Sequence, residues 1–379
     1  MAIAFFPLPN PGSRGKFFPI PGAAPERGGN GLLADDAMNE DLTKFLEDTY
    51  RFRIVRTIAE GGMGTIFEAR QFGAEGFEKT MVIKAILEEY SSDPEFREMF
   101  IGEAKLVADL VHQNIVQIYQ LGKVGTQYYI AMEYIDGINL ERFIDRHFEM
   151  GKKIPVNMAA FIVSRVCRGL EYAHQKADKA GKSLGVVHRD VSPKNIMMAW
   201  EGDVKLTDFG IAKAAHYFRN REGEVLMGKI QYMSPEQAAY KETDRRSDVF
   251  SLGIVLWELL SGRPLFADAD TSITLDNVIR MPVPPIEKIN PDVPPDLAAI
   301  LNKTLERDLA KRYQDAGAMG YDLEYFMYHG GYGPTIVTLA KYLRQLFPES
   351  VRKSPDASKE DAREFNPDTI IIKDADLLP

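Results

Sequence analysis

A change of period along the chain limits its fold more than any other feature. From residue 50 to 88, β-type runs alternate with glycine turns, and Arg51 to Ile58, Thr65 to Arg70 and Lys79 to Ile86 each read as a strand. After Asp93-Pro94, an N-cap followed by a favoured first helical residue, helical spacing runs to about Val111, and Tyr128 to Glu133 returns to strand. From Asn157 onward the pattern is mostly helical, interrupted by short strand segments around residues 186 to 207. The expected fold is therefore α+β, a small sheet-rich lobe followed by a larger helical one, with the crossing near Tyr134 to Gly137.

The flanks read differently. Residues 1 to 34 are rich in Pro and Gly, which favours an extended tail, and residues 35 to 49 form an acidic, helix-compatible lead-in. The lobes are expected over residues 50–133 and 134–347, and a charged tail over 348–379. The first residues lack a charged leader before an apolar run, and the run from Val249 to Leu260 contains Ser251 and Glu258 and is too short to span a bilayer. No membrane partner is expected, and the expected location is the cytoplasm. A net charge of -9 and a pI near 5.4 argue against a protein that coats nucleic-acid phosphates. The single cysteine, Cys167, lies among Phe161, Ile162, Val163 and Leu170 and is expected to be a buried structural thiol.

Chemistry-bearing residues gather in a few places. HRDVSPKN, residues 188 to 195, precedes a pair of short strands joined at Glu201-Gly202-Asp203, which should bring Asn195 and Asp208 together at the open end of a hairpin. An amide oxygen and a carboxylate beside phosphate oxygens suit Mg²⁺, and Asp190 faces the same place as a separate carboxylate. In IAEGGMGTIFEAR, Gly61, Gly62 and Gly64 sit between two strands, where missing side chains let backbone N–H groups approach phosphates. An ordinary hairpin explains the same glycines. Lys84 ends the strand Met81-Val82-Ile83. In the helix after Pro94, Phe96, Met99, Phe100, Val107, Leu110 and Val111 form one apolar stripe with Glu103 inside it. An unpaired buried carboxylate costs several kcal/mol, so Glu103 calls for a cation and Lys84 is the candidate. The alternative is Glu103 tilted to solvent at the edge of the stripe.

Taken in order, these stations resemble the protein-kinase family, most closely the bacterial serine/threonine kinases, over about residues 50 to 330. Glycine loop, VIK lysine, helix glutamate, HRD with its later Asn, Asp208-Phe209-Gly210, Ser234-Pro235-Glu236 and Asp248 to Gly253 follow the family's sequence of motifs. The resemblance implies a two-lobed kinase fold. It also implies transfer of the γ-phosphoryl group of ATP, with Mg²⁺, to Ser/Thr hydroxyls of protein substrates in bacterial signalling. Lys84 would grip the α and β phosphates while paired to Glu103, Asp208 and Asn195 would hold Mg²⁺, and Asp190 would accept the substrate hydroxyl's proton. By the same analogy Ile58, Gly61, Gly62, Gly64 and Ile66 enclose the nucleotide, Glu133 and Ile135 offer backbone groups to adenine, and Met132 lines the back of that pocket. Arg312 would brace the larger lobe against Glu236.

Four departures qualify the resemblance. Ala59 replaces the loop's usual first glycine, which costs little unless φ there is positive. Val82, where an alanine is common, narrows the adenine roof. Ser192 replaces the lysine usually found two residues after the catalytic Asp, and Lys194 is expected to take over its charge role. Between Gly210 and Ser234 there is no Ser or Thr, and Lys229 stands where a substrate-facing threonine is usual, so Glu222 or Glu224 is expected to offer Arg189 a permanent carboxylate. Thr369, with Ile372 three residues on, is a candidate mark for a forkhead-associated-domain partner, the alternative being a strand-like patch that docks on the kinase body. Ala59, Ser192 and Lys229 also raise a pseudokinase or nucleotide-binding scaffold, and Ser192 and Lys229 leave dual or tyrosine specificity open. Retention of Lys84, Glu103, Asp190, Asn195 and Asp208 together favours an active enzyme.

Overall fold

The computed structural model of the chain describes residues 51–61, 64–209 and 230–349. The terminal tails, Gly62, Glu222, Glu224, Lys229 and Thr369 lie outside the described residues. Five antiparallel strands form the first sheet: β1 (Arg51–Gly61), β2 (Gly64–Phe72), β3 (Glu78–Ile86), β4 (Ile118–Val124) and β5 (Gln127–Glu133), in the spatial order β1-β2-β3-β5-β4. A short helix α1 (Glu88–Ser92) leads into α2 (Pro94–Ala108), which covers one face. Period-two alternation divides the sheet's apolar residues between its faces. Ile86, Ile130 and Met132 pack with Phe96 and Phe100 of α2, while Met81, Ile83, Tyr129 and Ala131 cluster with Phe52 and Ala69.

β4 was not apparent from its sequence, because Gly122 in its middle reads as a strand breaker. A Cβ at that position would stand 2.2 Å from the Tyr129 ring, so glycine is what lets the aromatic cross the strand. The expected stripe on α2 holds for Phe96, Phe100 and Val107, but the helix stops at Ala108, so Leu110 is buried beyond its end and Val111 is exposed.

The second part is helical around a three-stranded sheet of β6 (Gly137–Asn139), β7 (Ile196–Ala199) and β8 (Val204–Leu206). Its helices are α3 (Leu140–Glu149), α4 (Val156–His174), α5 (Pro235–Ala238), α6 (Arg245–Ser261), α7 (Thr271–Arg280), α8 (Ile286–Ile289), α9 (Pro295–Thr304), α10 (Ala316–Tyr328) and α11 (Ile336–Leu346). The core is centred on α4 and α6, whose side chains are buried nearly all round, so a helix enclosed on every side replaces an amphipathic one there. Cys167 lies in this core, where burial pushes its thiol far above the usual range and makes it inert. No helix among the described residues is long and apolar enough to cross a membrane.

α11 closes against α3 and the β7–β8 turn. Tyr342 Oη meets His147 Nε2 at 2.7 Å, Arg146 Nε donates to the Leu346 carbonyl at 3.1 Å, and the Trp200 and Phe347 rings meet edge to face at 5.9 Å. Gly202 makes the close approach possible: its φ is +95°, and a Cβ there would lie 2.1 Å from the Ile336 carbonyl oxygen.

Candidate active site

β3 delivers Lys84 from the first sheet. Its Nζ donates to Asp208 Oδ1 at 2.8 Å, linking the sheet to the segment that leaves β8. Lys84 stands opposite Ile66 on β2 and Ile130 on β5, so its stem is fixed by the middle of the sheet. Glu103 is on α2, and its side chain lies outside the described residues.

β7 and β8 position the remaining groups. Their register pairs Ile196 with Leu206, and Thr207 N–H donates to the Asn195 carbonyl at 2.9 Å. Asn195 thus stands across from Thr207, one place short of Asp208. Its Nδ2 donates at 2.8 Å both to the Asp190 carbonyl and to Asp190 Oδ2. With both amide hydrogens committed to acceptors, the orientation is set, and Oδ1 is the side-chain atom able to meet a cation. Among the described residues no three His, Cys, Asp or Glu side chains converge as a metal site. Mg²⁺ needs fewer: one or two carboxylates beside substrate phosphates suffice, and Asp208 with the Asn195 amide oxygen fits that demand.

The HRD segment is held from below by a buried carboxylate. Asp248 on α6 accepts the backbone N–H groups of His188 (2.8 Å) and Arg189 (2.7 Å) and pairs with His174 Nε2 at 2.8 Å. Burial alone would push its pKa up, yet these donors hold it below the usual carboxylate range. His188 lies with Nε2 2.9 Å from the Thr207 carbonyl, which can only accept, so that nitrogen carries the proton. Nδ1 then accepts the Asp190 N–H at 3.2 Å, and burial holds the ring neutral by lowering its pKa. Arg189 (φ +65°) and Asp208 (φ +62°) occupy the left-handed region that non-glycine residues rarely enter, so two strained positions flank the site.

The nucleotide-side candidates divide in two. β1 and β2 carry Gly61, Gly64, Ile66 and Ile58, the last 41% exposed and apolar. A Cβ at Gly64 would lie 2.0 Å from the Ala85 carbonyl oxygen, so this glycine serves the β2–β3 contact before any ligand. Ala59 pairs with Ile66 in ordinary extended backbone, where a Cβ is no burden. Val82 faces Met132 across β3 and β5. Between the lobes, the Glu133 carboxylate accepts Lys205 Nζ at 3.0 Å and the Gln117 N–H at 3.1 Å, and Ile135 packs on the Phe96 cluster.

Ser192 and Lys194 diverge. Ser192 is 2% exposed, and its Oγ finds no hydrogen-bond partner among the described residues. Lys194 is on the outside, 52% exposed, with Nζ 3.6 Å from Glu141 on α3. Tyr232 donates to the buried Glu258 at 2.6 Å, a pair not anticipated from the sequence. Arg312 Nη1 meets Glu236 Oε1 at 2.7 Å inside the larger lobe, the brace the resemblance implies.

Comparisons with known proteins bear on the family and the fold. Residues 52–321 match the model of the protein kinase domain. The chain is 39% identical over 309 residues to the tyrosine-protein kinase MasK of Myxococcus xanthus, covering 81% of this chain and 48% of MasK. It is 34% identical to the serine/threonine-protein kinase PrkC of Bacillus subtilis over 72% of this chain and 40% of PrkC. It thus spans less than half of each of these relatives. Among solved structures, the Mycobacterium tuberculosis PknI kinase domain aligns with a TM-score of 0.56 at 25% identity, covering 73% of this chain and 96% of that one. With the motifs, the two-lobed fold and a domain match over most of its length, the chain belongs to the protein kinase family.

Proposed function

We propose that the chain is an ATP- and Mg²⁺-dependent protein kinase that phosphorylates Ser and Thr hydroxyls of protein substrates in bacterial signalling. The observation that carries this reading is the pair of contacts Lys84–Asp208 and Asn195–Asp190, which bring groups from β3, the HRD loop and both ends of the β7–β8 hairpin into one place. Bound Mg·ATP supplies the transferable phosphoryl group and the charge that offsets its oxygens. Lys84 orients the α and β phosphates, with Glu103 as its partner on α2, and Asp208 and the Asn195 amide oxygen hold the metal. Asp190, steadied by the Asn195 amide, takes the proton from the acceptor hydroxyl and aims its oxygen. Ile58, Ile66, Gly61, Gly62 and Gly64 enclose the nucleotide, and backbone groups of Glu133 and Ile135 meet its base. For Lys194 to serve the γ-phosphate it must release Glu141, so its charge role is exercised only once ATP is bound.

A second reading is favoured by one feature. Lys194 is directed at Glu141 and away from the place a Ser/Thr kinase's lysine would serve, and MasK is named a tyrosine kinase. Incubation with labelled Mg-ATP and a generic basic protein, wild type beside Asp190→Asn, followed by phosphoamino-acid analysis, tests both. Phosphoserine and phosphothreonine in the wild type alone support the first reading, and phosphotyrosine alone supports the second. Equal labelling by wild type and Asp190→Asn, or none by either, overturns the kinase assignment.

A further inference from the structure

Arg189 directly precedes the proposed base Asp190, and its backbone is pinned on both sides. Its N–H donates to Asp248 Oδ1 at 2.7 Å, and its carbonyl accepts Gln237 Nε2 at 2.9 Å. Among the described residues the guanidinium is less well served. Its side-chain partner among the described residues is the Thr243 hydroxyl, 3.4 Å from Nε. A planar fork of five donors is matched by a carboxylate or phosphate, and a neutral hydroxyl at that distance is a weak substitute. No Ser or Thr between Gly210 and Ser234 can bring a phosphate to it. The hydroxyl that touches the cation is itself a phosphorylatable one.

The surroundings of Thr243 suit an added anion. It is partly exposed, in the irregular stretch 241–244 between α5 and α6, and directly precedes the N-cap of the 17-residue helix α6, whose N-terminal end carries partial positive charge. The adjacent carboxylate, Asp244, is already compensated by the Arg246 guanidinium at 2.6 Å, so it opposes a neighbouring phosphate only weakly. Asp248 is committed to His174 and two backbone N–H groups. Lys241 and Arg245 stand two residues before and after Thr243 in sequence.

We infer that Thr243 is an autophosphorylation site whose phosphate closes onto Arg189 and braces the catalytic loop. The inference rests on the kinase reading above. In the transfer, the bond from the γ-phosphorus to the β–γ bridging oxygen of ATP breaks and a bond from that phosphorus to Thr243 Oγ1 forms. The hydroxyl proton passes to Asp190 of a second copy, and ADP leaves. The product carries about -1.5 to -2 charge at neutral pH and three acceptor oxygens, enough to engage the guanidinium fork with two hydrogen bonds. Arg189 would then be anchored by side chain as well as backbone, and Asp190 with it.

The test uses the full chain. Phosphatase-treated wild type is incubated with Mg-ATP, phosphorylation is mapped by mass spectrometry over time, and transfer to a generic basic protein is followed in parallel. Asp190→Asn is incubated alone and with a trace of wild type, and Thr243→Val is carried through as the near-isosteric variant that cannot be modified. The expected result is phosphate on Thr243 in wild type, and on Asp190→Asn only when wild type is added. Transfer to the generic protein should rise about tenfold as Thr243 is modified, the order supplied by one charge-assisted hydrogen bond, while Thr243→Val stays at its starting rate. Transfer to the generic protein with Thr243 unmodified overturns the inference and leaves the kinase reading standing, as does modification without a change in rate. Absence of any transfer overturns both. Mapping on the wild type decides the site even if Thr243→Val fails to fold.

Discussion

Lys84 Nζ and Asp208 Oδ1 meet at 2.8 Å across 124 residues of sequence, and both side chains are largely withdrawn from solvent. The contact ties the middle strand of the first sheet to the segment leaving β8, so one ammonium and one carboxylate set the distance between the proposed phosphate-gripping and metal-holding sides of the site. Replacing Lys84 by Met keeps the stem and removes the donor. Steady-state transfer assays should show kcat reduced by about 10²- to 10³-fold, the usual effect of losing one preorganised cation or donor at a transferring group.

The Glu236–Arg312 pair should matter for stability instead. Arg312 is fully buried, donates to both Glu236 oxygens and also bonds the Arg246 and Glu306 carbonyls. Although burial opposes it, the guanidinium and the Ser247 hydroxyl hold the Glu236 pKa below its usual range. Arg312→Ala strands a buried carboxylate and should cost about 3 to 5 kcal/mol in urea unfolding.

Gly202 controls the docking of α11. Gly202→Ala meets both the left-handed backbone, worth about 1 to 2 kcal/mol, and the Ile336 carbonyl 2.1 Å from the new Cβ. Hydrogen exchange of the amides over Ile336–Leu346 should accelerate while exchange in α4 stays unchanged.

Acid should weaken the fold from the histidines first. Burial holds His147 and His188 below their ordinary value of 6.5, so below that pH the unfolded chain binds protons that the folded one refuses, and stability falls as pH drops through this window. Asp248, held below its ordinary 3.8, contributes stability that is lost only at lower pH. Glu258, raised above 4.5 by burial, works in the opposite direction, gaining stability as pH falls. The difference between wild type and His147→Gln isolates the histidine: the decline in Tm from pH 6.5 to 5 should be shallower in the variant.

Much of this architecture was legible because it follows from period alone. Strands β1, β2, β3 and β5 show as β-branched and aromatic runs between turns, although β1 carries two register shifts and β5 buries four residues in a row, and α2 shows its stripe through Val107. β4 was hidden because the residue that makes it possible, Gly122, is chosen for the Tyr129 ring and not for the strand. The site residues announced themselves by type and order, but their pairings did not. The hairpin register depends on Gly202 at φ +95° and the Ala199–Asp203 closure of the turn, which set Asn195 across from Thr207. Asp248, His174 and Lys205 act through long-range contacts that no local spacing encodes.

The most direct measurement is titration of ATP into the purified protein, with and without Mg²⁺, for wild type, Lys84→Met and Asp208→Asn. Saturable binding that tightens with Mg²⁺ in the wild type, weakens in Lys84→Met and loses its Mg²⁺ dependence in Asp208→Asn is the expected result. ATP binding that ignores Mg²⁺ and both substitutions would contradict a single nucleotide site built on the Lys84–Asp208 contact.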